Sequence, residues 1–329
     1  MRQHLICLDI RGGIPRPLDV PPARSVLCLG NFDGVHRAHA ALLTQGQALT
    51  RAVNAATPDL PPALCGVFCF DSLSGDHFLG DGDKRNHLTS LKERLSAFHE
   101  RGIEIVWLSD FPTVQNLSPD EFLDLLTLRC GCVGAACGYN YRFGRKAAGT
   151  PELLTRRLGQ DRTVILPAMT EAGIPVSSSR IRAALLEGDM ETAALLLGRP
   201  YALYTTVMHG KSLGHTWGFP TANQFFPVER LIPPYGVYAV RCHTPTGIFP
   251  GVANVGLRPT VDVHGRVNCE THIIGYQGDL YGRRLKIEFL KFLRPEQRFG
   301  SVEALKEAIR TDTAAAAAYI SSLDAPVIP

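Results

Sequence analysis

The strongest constraint on how this chain can fold is a change of apolar period near Gly198. Before it, short apolar runs (Ser25 to Leu29, Ala63 to Phe70, Ile103 to Leu108, Gly131 to Cys137, Thr163 to Leu166) alternate with stretches whose apolar residues recur at three and four. Helix starts are marked between them. Ser90 and Glu93 form a capping box ahead of Leu91, Leu95 and Phe98, and Gly102 closes that helix; Ser118, Pro119 and Glu121 start another, and Thr150 with Pro151 repeats the signal. Further helices are expected from Ala40 to Ala55, from about Ser178, and from Asp189 to a stop at Gly198 and Pro200. This alternation predicts an α/β, doubly wound domain with a mainly parallel sheet and its ligands at the carboxyl ends of the strands. Beyond Gly198 the runs Tyr201 to Met208, Tyr235 to Cys242, Ile248 to Val255, Asn268 to Gly275 and Arg284 to Leu293 are rich in β-branched and aromatic residues and separated by glycine and proline turns. They predict a small antiparallel β-barrel, closed by a terminal helix through Leu305, Ile309 and Ala314 to Ala318. Two domains are therefore expected, 1–198 and 199–329.

At 329 residues the chain can bury two full cores without help from disulfides or structural metal. A formal net charge of +3 gives no broad field to recruit nucleic acid or an anionic membrane, so any anion must be held locally. The cysteines are an odd set of 9, mostly inside apolar segments, which fits reduced thiols filling a core. No apolar run is long enough for a signal peptide or a membrane span, and a cytoplasmic location is expected.

The most chemically pointed stretch of the first domain is LGNFDGVHRAH, Leu29 to His39, at the end of the first strand. Gly30 and Gly34 permit a tight turn, and His36 and His39 fall at the start of the following helix. Unpaired N–H groups there favour anions, so both histidines could help to hold a triphosphate. A plain surface loop with two solvated histidines would also fit. In the second domain, HGKSLGHTWGFPTAN places Gly210, Gly214 and Gly218 four apart beside Lys211, and then Thr221 and Asn223 two apart. In an extended segment both of those side chains leave the same face, offering two neutral oxygens to Mg²⁺ and ATP phosphates. An ordinary glycine-rich hairpin is the alternative.

GFPTAN, with PPYGVY at Pro233 to Tyr238, NVGLRPT at Asn254 to Thr260, CETH at Cys269 to His272, DLYG at Asp279 to Gly282 and LRPEQRF at Leu293 to Phe299, resembles a riboflavin kinase in order and spacing. The first half is similar to the FMN adenylyltransferase domain of the bacterial bifunctional riboflavin kinase/FMN adenylyltransferases (FAD synthetases). That likeness rests on GNFDGVHRAH, on GYNYRFG at Gly138 to Gly144 and on SSSRIR at Ser177 to Arg182. It spans nearly the whole chain. The resemblance implies two reactions: riboflavin and ATP to FMN and ADP, then FMN and ATP to FAD and pyrophosphate, with Mg²⁺.

By that resemblance Glu270 is the kinase general base, taking a proton from the ribityl 5′-hydroxyl, while Mg²⁺ sits at Thr221 and Asn223. Arg258 serves flavin or phosphate binding, or else an ion pair. For adenylyl transfer, His36, His39 and Arg182 are implied to align the reactants and stabilise charge on the leaving group. Gly30, Asn31, Phe32, Asp33, Gly34, Asp71, Asn140, Ser177, Ser178 and Ser179 are implied to line the ATP and flavin sites. Ala38 stands where the family turn has glycine, His215 stands where the kinase loop often has arginine, and Ser72, Leu73 and Ser74 replace a proline, histidine, proline segment. A second reading follows from those departures: an active kinase with a degenerate or regulatory N-terminal nucleotide-binding module.

Overall fold

The computed structural model describes residues 5–9, 23–71, 87–209, 219–257 and 267–324. It divides into two compact units, Met1–Ser178 and Ser179–Pro329. The first unit is built on a six-stranded, wholly parallel sheet of β1 (Ile6–Asp9), β2 (Ser25–Leu29), β3 (Leu64–Phe70), β4 (Ile105–Ser109), β5 (Cys132–Gly138) and β6 (Thr163–Leu166). The order across the sheet is β1-β4-β3-β2-β5-β6. The chain builds outward from β2 on one side, then returns and continues on the other, so the switch lies between β2 and β5. The central strands are apolar throughout because both faces are covered. Leu27, Leu29, Phe68, Trp107, Phe122 and Leu126 pack on one side, and Cys28, Leu43, Val67, Phe98 and Val106 on the other.

The helices begin where their caps place them. His36 caps α1 (Arg37–Ala56). Ser90 and Ser118 form complete capping boxes with Glu93 and Glu121 for α2 (Leu91–Glu100) and for α4 (Pro119–Asp124), which follows the single turn α3 (Phe111–Val114). Thr150 precedes α5 (Pro151–Leu158), but its hydroxyl makes no cap bond to a backbone N–H. A two-strand hairpin, β7 (Thr170–Glu171) and β8 (Ile174–Pro175), comes before α6 (Ser178–Leu186).

The second unit takes in most of α6 and all of α7 (Met190–Leu197), so contacts divide the chain ahead of the change of period at Gly198. The reason is packing. α7 lies on the strands of this unit, and Gly188 leaves room for the Phe292 ring at the α6–α7 corner. Six antiparallel strands follow: β9 (Tyr201–Thr206), β10 (Thr221–Phe225), β11 (Gly236–Thr244), β12 (Gly247–Leu257), β13 (Val267–Ile273) and β14 (Arg284–Pro295), in the order β10-β13-β12-β11-β14-β9. The two edge strands are tied together. Met208 N–H donates to the Asn223 carbonyl at 2.8 Å, and the buried Gln224 carboxamide donates to the Thr205 and Leu285 carbonyls at 2.8 Å each. The terminal helix α8 (Val302–Asp324) is anchored to β14 by Arg294, whose guanidinium grips the Asp312 carboxylate at 2.7 to 3.2 Å.

None of the nine cysteines forms a disulfide, and eight of them are buried. Burial pushes Cys69, Cys132, Cys137 and Cys269 up to about 12, which suits inert core filling. No helix among the described residues is long and apolar enough to cross a membrane.

Candidate active sites

In the first unit a cleft of about 1190 Å³ opens at the carboxyl ends of β2 and β5, where the strand order reverses. Open parallel sheets place their ligand crevice at such a point. Gly30, Asn31, His36, Ala38 and His39 line it from the β2–α1 side, Asn140 from the β5 side, and Ser177 and Ser178 from the start of α6.

The turn is shaped by buried, strained backbone. Phe32 and Val35 adopt positive φ of 52° and 40°, and Gly34 adopts 80°. The His36 ring closes this turn by accepting the His39 N–H on Nδ1 at 3.4 Å, and the two imidazoles stack with centroids 3.6 Å apart and 16° between planes. His39 is held well below its ordinary value of 6.5, first by burial and then by the neighbouring His36 and Arg94 charges. It is therefore neutral at physiological pH. Ser178 Oγ donates to the Asp33 carbonyl at 3.0 Å and ties the α6 start to the turn.

The turn does not send all of its expected residues to the cleft. Phe32 is fully buried and meets Phe98 edge-on at 5.3 Å. The Asp33 carboxylate is turned inward, accepting the N–H groups of Leu88 and Thr89 at 3.0 to 3.1 Å, and Gly34 N–H donates to Thr89 Oγ1. These residues shape the turn from behind, because a buried carboxylate needs donors and the 87–90 segment supplies them. Asp71 is likewise not on the cleft wall; its carbonyl accepts from Arg94 at 2.6 Å and its N–H donates to Ser109. Ser179 is exposed, and Arg182 stands one turn further along α6, half-buried.

Two features of this site were not anticipated. Arg94, only 1% exposed, donates to the carbonyls of Asn31, Phe70 and Asp71, holding the ends of β2 and β3 together. Arg142, Arg145 and Lys146 give the cleft a cationic wall. Gly144 is required in that loop, since φ is +70° and a Cβ would come within 2.9 Å of Pro119 N.

In the second unit the PTAN and CETH segments become adjacent strands. Asn223 and Glu270 are direct partners in the β10–β13 register, and Thr221 pairs with His272. Asn223 Nδ2 reaches the Thr221 carbonyl at 3.4 Å, and His272 Nδ1 lies 3.1 Å from the Pro220 carbonyl. Asn268, which the sequence reading passed over, donates to both Asn223 Oδ1 and Glu270 Oε1. Its only signal was a polar residue two before Glu270 in a strand, hence on the same face. Gly210, Lys211, Gly214, His215, Gly218 and Arg258 lie outside the described residues.

Both halves of the chain match known protein families. An FAD synthetase family model matches residues 20–180 and a riboflavin kinase model matches 197–320. A bifunctional riboflavin kinase/FMN adenylyltransferase of Bacillus subtilis is 32% identical over 92% of this chain and 94% of its own length. The chain belongs to the bifunctional riboflavin kinase/FMN adenylyltransferase family. Members from Pseudomonas fluorescens and Escherichia coli K12 are each 36% identical, over 89% and 91% of this chain and 92% and 94% of theirs. A crystal structure of a macrolide-efflux protein from Streptococcus pneumoniae superposes with a TM-score of 0.77 at 27% identity, covering 93% of this chain and 98% of that one. The cleft at the β2–β5 switch falls inside the family's FAD synthetase domain, and the Asn223–Glu270 pair inside its riboflavin kinase domain.

Proposed function

We propose that this chain makes FMN from riboflavin and ATP at the β10–β13 face, and FAD from FMN and a second ATP in the β2–β5 cleft. The functional halves are 199–329 for phosphoryl transfer and 1–198 for adenylyl transfer, with the junction at Gly198. The observation that carries the reading is the cross-strand pairing of Asn223 with Glu270, which sets a carboxylate beside two neutral oxygen donors.

Glu270 accepts the proton of the ribityl 5′-hydroxyl as that oxygen attacks the γ-phosphorus of ATP and ADP leaves. Little covalent work falls to the protein, so positioning and charge neutralisation dominate. Mg²⁺ prefers oxygen ligands and keeps most of its shell as water and phosphate, and Thr221 Oγ1 and Asn223 Oδ1 fit that demand. When bound, the ion offsets phosphate charge as the γ-phosphoryl group moves. Thr221 and Asn223 would hold it, and Glu270 takes the proton.

In the cleft the FMN phosphate is already anionic and needs no strong base to attack the α-phosphorus of ATP. The residues align two polyanions and stabilise pyrophosphate as it departs. Neutral His39, together with His36, offers hydrogen bonds at the α1 N-terminus, with Ser177, Ser178 and Ser179 at the start of α6 and Arg182 one turn on. Gly30, Asn31 and Asn140 supply backbone and amide contacts. Arg142, Arg145 and Lys146 neutralise charge at the mouth.

The test separates the two halves. Glu270→Gln should lower FMN formation from riboflavin by at least about 100-fold while FAD formation from supplied FMN persists, and His36→Ala should do the reverse. Loss of both activities in either variant would count against two independent sites.

A further inference from the structure

Asn268 and Glu270 are two apart on β13, so their side chains leave one face, where Asn223 meets them from β10. Asn268 is 4% exposed. Its Nδ2 donates to Glu270 Oε1 at 2.8 Å and to Asn223 Oδ1 at 3.2 Å, so both amide hydrogens are spent on two groups of the phosphoryl-transfer site. Its own Oδ1 is buried and has no hydrogen-bond partner among the described residues. Turning the amide over would set that oxygen against a carboxylate and a carboxamide oxygen. The charge on Glu270 therefore dictates the orientation of Asn268. That orientation dictates the next one: with Asn223 Oδ1 accepting from Asn268, Asn223 Nδ2 points toward Thr221.

We infer that Asn268 is a positioning residue for phosphoryl transfer, a buried two-way donor that sets the rotation of the Glu270 carboxylate and the Asn223 carboxamide relative to one another. This rests on the reading of Glu270 as the base. Asn268 touches neither proton nor phosphate. It acts by fixing the geometry from which Glu270 takes the hydroxyl proton.

The experiment uses the full chain with two near-isosteric variants, Asn268→Leu and Asn268→Asp, both of which remove the donors. In each, kcat for FMN formation should fall by about 10-fold or more with KM for riboflavin within about twofold, because orientation and not binding is lost. A second readout needs no substrate. Asn268→Asp sets two carboxylates side by side and should lower the melting temperature of the second unit; adding Glu270→Gln restores a donor–acceptor pair with the roles exchanged and should recover part of that loss. An unchanged kcat in both variants, or melting shifts that simply add, would overturn the inference. Should Glu270→Gln alone keep full kinase turnover, the base assignment itself fails, whatever position 268 does.

Discussion

The imidazoles of His36 and His39 stack 3.6 Å apart at the start of α1, and His39 is held neutral by burial, by His36 and by Arg94. Its folded-state value lies below 6.5, so on acidification through that value the unfolded chain takes up a proton that the folded chain refuses. This contribution to stability is full above pH 6.5 and is lost as pH falls below it, by at most about 1.4 kcal/mol per pH unit. Thermal melts of the first unit between pH 7.5 and pH 5 (roughly one unit above and below the ordinary histidine range) should show that decline. His39→Gln should flatten it; an equally steep decline in the variant would contradict the assignment.

Ala38 presents a methyl group to the cleft at the second position of α1, where the family turn has glycine. Ala38→Gly should raise kcat/KM for ATP in FAD formation, at a stability cost of up to about 1 kcal/mol for glycine in a helix. Steady-state kinetics with FMN saturating would measure it. No gain would mean that the triphosphate does not approach this turn.

Arg94 is buried among three carbonyls, those of Asn31, Phe70 and Asp71, and replaces the donors that water would supply. Arg94→Met keeps the stem and removes every donor. It should destabilise the first unit by about 1–3 kcal/mol, since an unmet buried acceptor costs about that much and the exposed Asn31 backbone can turn to water instead. Denaturant unfolding followed by a probe in this unit would measure the loss.

Trp107 is 1% exposed in β4, and its indole Nε1 has no hydrogen-bond partner among the described residues. Trp107→Phe removes the unmet donor along with some packing volume. The two terms oppose each other, so the change in unfolding free energy should stay within about 1.5 kcal/mol, well short of the 3–5 kcal/mol typical of truncating a core aromatic.

The parts of this fold legible in the residues were those with a local cause. Capping boxes at Ser90 and Ser118 and the alternating apolar runs placed the sheet and its helices, and β-branched runs placed the barrel. β1 was missed because an edge strand with Ile6 and Cys7 exposed carries no buried period. β10 showed only as an extended segment, since its strand character depends on β13 and on Gln224 reaching Thr205 and Leu285. In the sites, the same divide holds. Glu270, Asn223, His36 and His39 belong to compact motifs. The inward turn of Asp33 depends on Leu88 and Thr89, more than fifty residues away, and Asn268 acquires its role only once β10 and β13 pair. α6 and α7 read as the end of the first domain by period, and in the structure α7 contacts β14 and β9.

One chain, on this reading, carries riboflavin through FMN to FAD at two sites. The most direct measurement is a time course of the purified full chain with riboflavin and excess MgATP, with the flavins separated and quantified. FMN should appear first and FAD follow, with ADP produced in the first step and pyrophosphate in the second. Riboflavin left unchanged, or FMN that accumulates without FAD even when supplied directly, would contradict it.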